Sequence, residues 1–281
     1  MRIHTLDTGF FKLDGGAMFG VVPKSLWQKQ VPADERNLCT WAMRCLLVEE
    51  GSRLLLVDTG MGHKQEAKFS RHYEPHGEAT LLSSIQKAGY SLTDITDVFL
   101  THLHFDHVGG AVSCDDTRTR FFPTFPRATY WTTEAHWQWA RHPNPREKAS
   151  FLSENLLPLQ EAGQLRFLGT DWPFEQITYE VVHGHTEAMT LPLVHYGGQK
   201  ILFAADLIPS SAHIPLAWVM GYDVRPLVTM QEKADLLQRA AAENWLLVFE
   251  HDATFEAARV VQGERGIQLA ERGTLRVLLG D

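Results

Sequence analysis

The sequence predicts a layered α/β protein in which helices cover a mixed β-sheet. Short apolar runs of strand length alternate with segments whose apolar residues recur at helical spacing. The 281 residues are 44% hydrophobic and 21% charged, which is typical of a globular protein with an ample core. No internal repeat or low-complexity linker divides the sequence, so we expect a single domain over residues 1–281.

The strand predictions rest on apolar runs bounded by glycine or polar residues. Residues 43–50 and 52–60 flank Gly51 and predict a hairpin. Residues 191–206 predict a second hairpin, because Gly197 and Gly198 can supply the positive φ values of a tight turn. Four further segments are typical of strands: residues 95–102, 127–131, 177–185 and 244–252, the last of which we expect to be the final strong strand.

The helix predictions rest on apolar spacing near 3.6 residues and on capping signals. Residues 77–90 end at the helix-terminating Gly89, and residues 132–142 begin with threonine caps. Residues 146–163 have helical character on both sides of Pro158, which we expect to break the helix. Residues 229–244 predict an amphipathic helix.

Two stretches, residues 15–37 and 207–226, fit neither the strand nor the helix period. Long loops in a compact domain are usually functional or disordered, and the aromatic content of both disfavours disorder. We predict that they line a mostly apolar pocket, although packing against the domain is an alternative role for each residue. The pocket candidates are Met18, Phe19, Trp27, His213, Trp218, Met220 and Tyr222.

Charge and cysteine content exclude several classes of protein. The net charge of −8 disfavours nucleic-acid binding, which needs clustered Lys and Arg. Three cysteines without a CxxC pair favour reduced thiols over a disulfide framework. The N-terminal residues lack the apolar stretch of a signal peptide, and no run of about 18 apolar residues predicts a membrane span. We therefore expect a cytoplasmic protein without membrane association.

The segment THLHFDHVGG, residues 101–110, contains four potential metal ligands: His102, His104, Asp106 and His107. It follows a predicted strand and ends in two glycines. Because four ligands from six residues would crowd one ion, we expect two pairs that serve two adjacent ions. Imidazole and carboxylate ligands suit zinc, and they also accept iron, manganese or cobalt.

Three other predicted strands end in or beside a ligand-type residue, namely His185, Asp206 and His251. Functional sites are often built where strands end at one edge of a sheet. Asp206 can bridge the two ions with its two oxygens, which leaves room for a shared water or hydroxide. The remaining ligands are assigned as His102, His104 and His185 to one ion, and Asp106, His107 and His251 to the other.

This pattern resembles the metallo-β-lactamase superfamily, whose HxHxDH motif is followed by a distant His, an Asp and a His. The motif occupies residues 102–107, and the DTG of residues 58–60 matches the superfamily's strand-end aspartate. The resemblance extends from about residue 3 to residue 251. It implies a four-layer αββα sandwich with mixed, mostly antiparallel sheets and a metal site along one edge.

The resemblance also implies a hydrolase in which a hydroxide shared by two metal ions, with zinc the first choice, attacks a small-molecule substrate. Asp58 is expected either to orient a ligand histidine or to fix the turn before Gly60. By analogy with relatives, Asp106 is expected to pass a proton to the leaving group as well as to bind metal. A homodimer through residues 15–37 is a further expectation.

Fold alone does not settle the substrate. The best-known zinc β-lactamases have cysteine where this sequence has Asp206, which leaves the quorum-quenching lactonases and methyl parathion hydrolase as the most similar branch. We therefore expect opening of a lactone or cleavage of a small apolar ester, with an organophosphate triesterase as the alternative. Lactonases of this group often carry a tyrosine shortly after the bridging aspartate, whereas position 209 is Pro209, so Tyr222 is the substitute candidate.

Two more activities of the superfamily are less favoured by the sequence. A glyoxalase II-like thioesterase would carry a C-terminal helical domain with basic groups, but only 30 residues follow His251. A di-iron redox protein would carry a flavodoxin-like domain, and we find no such domain in the sequence.

Overall fold

The computed structural model describes residues 1–280. Its strands are β1 (Arg2–Asp14), β2 (Leu38–Glu50), β3 (Arg53–Val57), β4 (Asp97–Phe99), β5 (Val112–Cys114), β6 (Phe121–Pro123), β7 (Thr129–Thr132), β8 (Leu165–Phe167), β9 (Ile177–Val182), β10 (Met189–Tyr196), β11 (Gln199–Phe203), β12 (Leu246–Val248), β13 (Ala257–Gly263) and β14 (Gly266–Gly273). Its helices are α1 (Gly15–Phe19), α2 (Lys24–Trp27), α3 (Ala67–Tyr73), α4 (Leu81–Lys87), α5 (Phe105–Val108), α6 (Glu134–Arg141), α7 (Ser153–Glu161), α8 (Pro226–Ala242) and α9 (Leu275–Leu279).

Most of the strands form two six-stranded sheets within residues 1–280. The first sheet has the order β1-β2-β3-β4-β7-β8, in which β1 to β3 are antiparallel and β3 to β8 are parallel. The second has the order β14-β13-β12-β11-β10-β9, in which β11 and β12 are the parallel pair. Both sheets are therefore mixed, and antiparallel pairs predominate overall.

The layer order follows from the alternation of side chains along the central strands. In β2, Leu46 and Val48 pack into the core shared with the second sheet, whereas Cys45 and Leu47 pack into the core beneath α4, α6 and α7. Leu236 of α8 joins the core of the second sheet. The expected four-layer αββα sandwich is confirmed. It explains why the β2 sequence is apolar on both faces.

The two predicted hairpins are present as β2–β3 and β10–β11. Gly51 has a φ of 60°, and Gly197 and Gly198 have φ values of 57° and 81°, as their tight turns require. Three of the predicted helices are present as α4, α6 and α8. Thr80 and Thr133 cap the first two, and α8 begins earlier than predicted, with Pro226 in its first turn.

The sequence did not predict β1 or the β13–β14 hairpin, and this hairpin follows residues 244–252, in which we expected the final strong strand. In β1, a register shift between Asp7 and Phe10 breaks the alternation of buried and exposed residues. Gly9 sits at this shift with a φ of 105°. The edge strand β14 exposes much of its surface, so it lacks the apolar run by which the other strands were identified.

Pro158 lies inside α7 and does not end it, contrary to the prediction. The helix begins at Ser153, and residues before it form turns. Leu156 and Leu159, on either side of the proline, are buried in the core beneath the first sheet. Proline within a helix costs about 3 kcal/mol, and burial of two leucines is of comparable size. Tertiary packing therefore outweighs the local preference.

The two long stretches are ordered parts of the fold. Residues 15–37 contain α1 and α2, and residues 207–226 contain a short 3₁₀ turn at Ser211–His213. The two stretches pack on one another, since Gly221 N–H donates to the Ala17 carbonyl at 2.8 Å. Lys233 of α8 fixes the second stretch by donating to the carbonyls of His213, Pro215 and Trp218 at 2.8–3.0 Å. No helix within residues 1–280 has the length and apolarity to cross a membrane.

Candidate metal centre

The HxHxDH segment lies between the end of β4 and the short helix α5. His102 and His104 precede α5, with His104 in extended backbone, whereas Asp106 and His107 lie within the helix. The two glycines that follow are required for close approach of another segment. A Cβ atom on Gly109 would lie 2.1 Å from the Met61 carbonyl oxygen, and one on Gly110 would lie 2.2 Å from that of Thr59. The glycines therefore let residues 59–61 support the motif from below.

The three distant candidates also follow strands. His185 comes after β9, Asp206 lies in a 3₁₀ turn after β11, and His251 comes after β12. All three side chains are at least nine-tenths buried, and the structure brings them to the HxHxDH segment. The structure thus places the seven residues selected from the sequence in one site, at one edge of the two sheets.

The seven side chains form two groups whose donor atoms lie within 4.8 Å of one another. In the first group, His104 Nδ1 lies 3.0 Å from His102 Nε2 and 3.2 Å from His185 Nε2. In the second group, His107 Nε2 and His251 Nε2 are 3.2 Å apart, and one Asp106 oxygen lies 3.9 and 3.8 Å from them. We refer to these groups as the first and second clusters.

Asp206 belongs to the first cluster and also faces the second. Its Oδ2 is 3.1 Å from His185 Nε2 in the first cluster, and its Oδ1 is 3.1 Å from His251 Nε2 in the second. Oδ1 is buried and accepts no hydrogen bond from any group in residues 1–280. Burying a carboxylate oxygen without a hydrogen-bond partner destabilises the folded protein, so this oxygen is well placed to bind a cation. The placement agrees with the bridging role inferred from the sequence.

The second ring nitrogen of each ligand histidine points away from the clusters and faces an oxygen atom. These outward pairs are His102 Nδ1 with Thr101 Oγ1 at 3.2 Å, His104 Nε2 with Glu147 Oε1 at 3.4 Å, His107 Nδ1 with Asp58 Oδ2 at 3.1 Å, His185 Nδ1 with Asp223 Oδ1 at 3.0 Å, and His251 Nδ1 with Ala42 O at 2.8 Å. A hydrogen-bond acceptor at the outward nitrogen keeps the ring proton on that nitrogen, so the inward nitrogen carries a free lone pair. The inward lone pairs then converge at distances that are unfavourable without a cation, so the donor set fits metal ions.

Asp58 supports the second cluster from beneath. Its Oδ1 accepts the Thr101 N–H at 2.8 Å, and its Oδ2 accepts the Thr101 hydroxyl at 2.6 Å and lies 3.1 Å from His107 Nδ1. The residue is fully buried and has a φ of 55°. Asp58 therefore combines the two roles considered for it, since it faces a ligand histidine and forms the turn that ends β3.

Three carboxylates around the clusters were not identified from the sequence: Glu147, Asp223 and Glu250. Burial acts to raise the pKa of Glu147, but the nearby His104 imidazole and the hydrogen bond from the Thr186 hydroxyl outweigh burial and lower the pKa to about 2. Burial and the charge of Asp58 raise the pKa of Glu250 well above its usual range, against the opposing charge of His107. The position of Glu250 next to His251 was a possible signal, whereas no sequence spacing indicates Glu147 or Asp223.

A cavity of about 270 Å³ opens above Asp106, Asp206 and His251. Three of the predicted pocket residues line it, namely Met18, Met220 and Tyr222. The wall also contains residues that the sequence analysis did not select: Leu13, Tyr73, Phe105, Arg146, Glu147, Ser150 and Gly221. Tyr73 comes from the end of α3, outside both long stretches, so the apolar part of the pocket was only partly anticipated.

The structure does not place Phe19, Trp27, His213 or Trp218 on the cavity wall. The Phe19 ring is stacked between those of Trp27 and His213, at centroid distances of 5.3 and 4.6 Å, and Trp218 packs edge-on against it at 5.7 Å. His213 Nε2 also lies 2.9 Å from the Met18 carbonyl oxygen. These rings join the two long stretches by stacking and edge-on packing, which bury their aromatic surface.

Comparison with known proteins places this site in a family. Residues 44–251 match the model of the metallo-β-lactamase superfamily. Two relatives, probable metallo-hydrolases of Mycobacterium bovis and Mycobacterium tuberculosis, are each 31% identical over 153 residues, which is 48% of this chain and 45% of the relative. This chain therefore spans about half the length of the curated relatives it matches.

Two solved structures extend the similarity over nearly the whole chain. A probable metal-dependent hydrolase from Staphylococcus aureus has a TM-score of 0.87 at 28% identity, covering 97% of this chain and 96% of its own. AidC, a dizinc quorum-quenching lactonase, has a TM-score of 0.77 at 22% identity, covering 95% and 93%. The latter is a likeness of fold. Since the family model covers most of the sequence and includes the whole ligand set, this chain belongs to the metallo-β-lactamase superfamily.

Proposed function

We propose that this protein is a hydrolase that uses two divalent metal ions, zinc in the first instance, to open a lactone or to cleave a small apolar ester. The observation that carries the proposal is the position of Asp206 between two clusters of inward-facing donor atoms at the floor of a cavity. When bound, two such ions supply Lewis acidity and lower the pKa of water so that hydroxide is available near neutral pH. No serine or cysteine nucleophile is then needed.

The cavity walls support a small and largely apolar substrate. Met18, Met220 and Phe105 offer apolar surface, and the volume of about 270 Å³ is near the lower end of the range for ligand pockets. Arg146 donates hydrogen bonds to the carbonyls of Gly221 and Asp223, so its charge supports the loop at the cavity mouth. We infer a neutral substrate that places one polar group over the metal centre.

Three side chains at the cavity have separate roles in the proposed hydrolysis of an ester or lactone. Asp106 lines the cavity as well as the second cluster, and there it can take up the proton that the attacking water loses and pass it to the leaving oxygen. Tyr73 and Tyr222 line the cavity close to Asp106. Burial, with a contribution from the Asp106 charge, raises the pKa of Tyr73 to about 12, so its hydroxyl stays protonated and can donate a hydrogen bond to a substrate oxygen.

The proposed activity is tested with purified protein and a panel of substrates. We expect metal-dependent ring opening of acyl-homoserine lactones or simple γ-lactones, loss of turnover after removal of metal by a chelator, and recovery on addition of zinc. The shared fold of the AidC lactonase makes lactones the first compounds to test. Fast hydrolysis of an aryl phosphotriester with no turnover of any lactone or carboxyl ester would instead indicate a triesterase. Absence of all hydrolysis by protein loaded with two ions would contradict the proposal.

Replacement of Tyr222 by phenylalanine tests the cavity hydroxyls. We expect kcat/KM to fall about tenfold, which corresponds to about 1.4 kcal/mol and to the loss of one hydrogen bond in the transition state. Metal content should not change, because Tyr222 belongs to neither cluster. Tyr196→Phe, on β10 and outside the cavity wall, serves as the control. Unchanged kcat/KM in Tyr222→Phe would remove this residue from substrate binding.

A further inference from the structure

The two clusters are supported by different parts of the fold. The outward nitrogens of the second cluster face Glu250 and the Ala42 carbonyl, which lie on or beside strands of the two sheets. The outward nitrogen of His104 in the first cluster faces Glu147, which accepts a hydrogen bond from the Trp139 indole of α6 at 2.8 Å. Through His104, the first cluster is therefore connected to helix α6.

His136, three residues before Trp139 in α6, makes a more direct connection. Its Nε2 accepts the backbone N–H of Leu103 at 2.8 Å, and its Nδ1 donates to the Glu187 carbonyl oxygen at 2.6 Å. Leu103 lies between His102 and His104 in the chain, and Glu187 lies two residues after His185. One imidazole ring thus ties together the two segments that carry all three histidines of the first cluster.

The protonation state of His136 follows from these contacts. A backbone N–H can only donate, so Nε2 must hold a lone pair, and a carbonyl can only accept, so Nδ1 must carry the proton. The side chain is fully buried, and burial lowers its pKa to about 3. His136 is therefore a neutral, rigid bridge with one acceptor and one donor in fixed positions.

A neighbouring contact indicates that α6 docks on this segment as a unit. The Thr133 hydroxyl, at the start of α6, donates to the Ala188 carbonyl at 3.1 Å. Ala188 has a φ of 52°, so the chain after His185 follows an unusual backbone path that these contacts hold in place. Within residues 1–280, His136 Nε2 is the only hydrogen-bond acceptor for the Leu103 N–H.

We propose that His136 is a positioning residue that sets the distance between His104 and His185 and thereby controls the affinity of the first cluster for its metal ion, leaving the second cluster nearly unaffected. The inference rests on the proposed two-metal function. Its physical basis is that the inward nitrogens of His104 and His185 stand 3.2 Å apart only while their two backbone segments keep their present separation. Residues that orient metal ligands typically change metal affinity about 10- to 100-fold when replaced.

The test measures zinc affinity by competition with a coloured chelator. His136→Phe is introduced into two backgrounds: His251→Ala, which leaves the histidines of the first cluster complete, and His102→Ala, which leaves the second cluster complete. We expect His136→Phe to weaken zinc binding about 10- to 100-fold in the first background and to leave it unchanged in the second. Equal weakening in both backgrounds, or none in the first, would overturn the proposal.

Two further variants keep the test decisive where phenylalanine prevents folding. His136→Asn can retain the donor towards Glu187, and His136→Gln can place an acceptor towards Leu103, so each should weaken the first cluster by less than phenylalanine does. His142→Phe is the matched control, since His142 is exposed at the end of α6. A wild-type protein that binds no zinc would contradict the proposed function. If the wild type binds two zinc ions and the His136 variants bind both ions as tightly as the wild type does, this inference alone would be contradicted.

Discussion

Replacement of Asp206 by alanine is expected to remove at least one metal ion per chain and to lower kcat/KM by about 10³-fold or more, the scale seen when a group that stabilises the transition state is lost. Asp206 is the carboxylate that faces both clusters at 3.1 Å. Without it, the first cluster would consist of three neutral imidazoles, and Asp106 would be the remaining carboxylate among the seven ligand candidates. A divalent cation gains much less from neutral nitrogen donors alone.

The measurement combines metal analysis by mass spectrometry with kinetics on the best substrate of the lactone and ester panel. Asp206→Asn should fall between alanine and wild type, because it keeps one oxygen donor but not the charge. Asp235→Ala, on the exposed surface of α8, controls for the general effect of removing an aspartate. An Asp206→Ala protein with two ions and wild-type kcat/KM would show that Asp206 does not bridge the clusters.

Asp58→Ala is expected to lower the free energy of unfolding of the metal-free protein by about 3 kcal/mol or more. The change removes two short hydrogen bonds that the buried carboxylate accepts from Thr101, and hydrogen bonds to charged groups contribute about 1.5–3 kcal/mol each. Alanine also disfavours the left-handed backbone at this position, where φ is 55°. Denaturant unfolding followed by circular dichroism measures the loss.

The same variant should weaken metal binding by the second cluster about 10- to 100-fold, because Asp58 faces the outward nitrogen of His107. Asp116→Ala, in an exposed loop, is the control and should change stability by less than about 0.5 kcal/mol. Wild-type stability together with wild-type metal affinity in Asp58→Ala would mean that the carboxylate is dispensable in both of its contacts.

Much of the candidate metal centre could be predicted from the sequence, because ligand-type residues that directly follow apolar strands can be recognised from the order of residues alone. The motif at residues 102–107 brings four ligands within six residues, and His185, Asp206 and His251 each follow an apolar strand. Strands that belong to the same layers end at the same edge, so residues far apart in the chain meet there. The hairpins at Gly51 and at Gly197 and Gly198 were predictable for a related reason, since their backbone requirements are local.

The pocket was less predictable because the sequence does not show what lies opposite an aromatic ring. Phe19 and His213 belong to the same long stretches as Met18 and Tyr222, yet they stack on one another and are buried away from the cavity. Tyr73, which does line the cavity, comes from α3 and carries no signal in its surroundings. Which face of a loop turns inward depends on the competing surfaces of the folded protein.

The sequence by itself determined the layered α/β architecture, because that depends on periodicity and on the order of strands along the chain. It also selected the seven residues that meet at the site, because their types and their positions at strand ends are visible in the chain. The tertiary structure alone decided what holds those ligands: Glu147 and Asp223 at the outward nitrogens, and His136 between Leu103 and Glu187. The reason is physical. A hydrogen bond between segments distant in sequence requires a distance and an angle in three dimensions, and no local pattern of residues encodes either one.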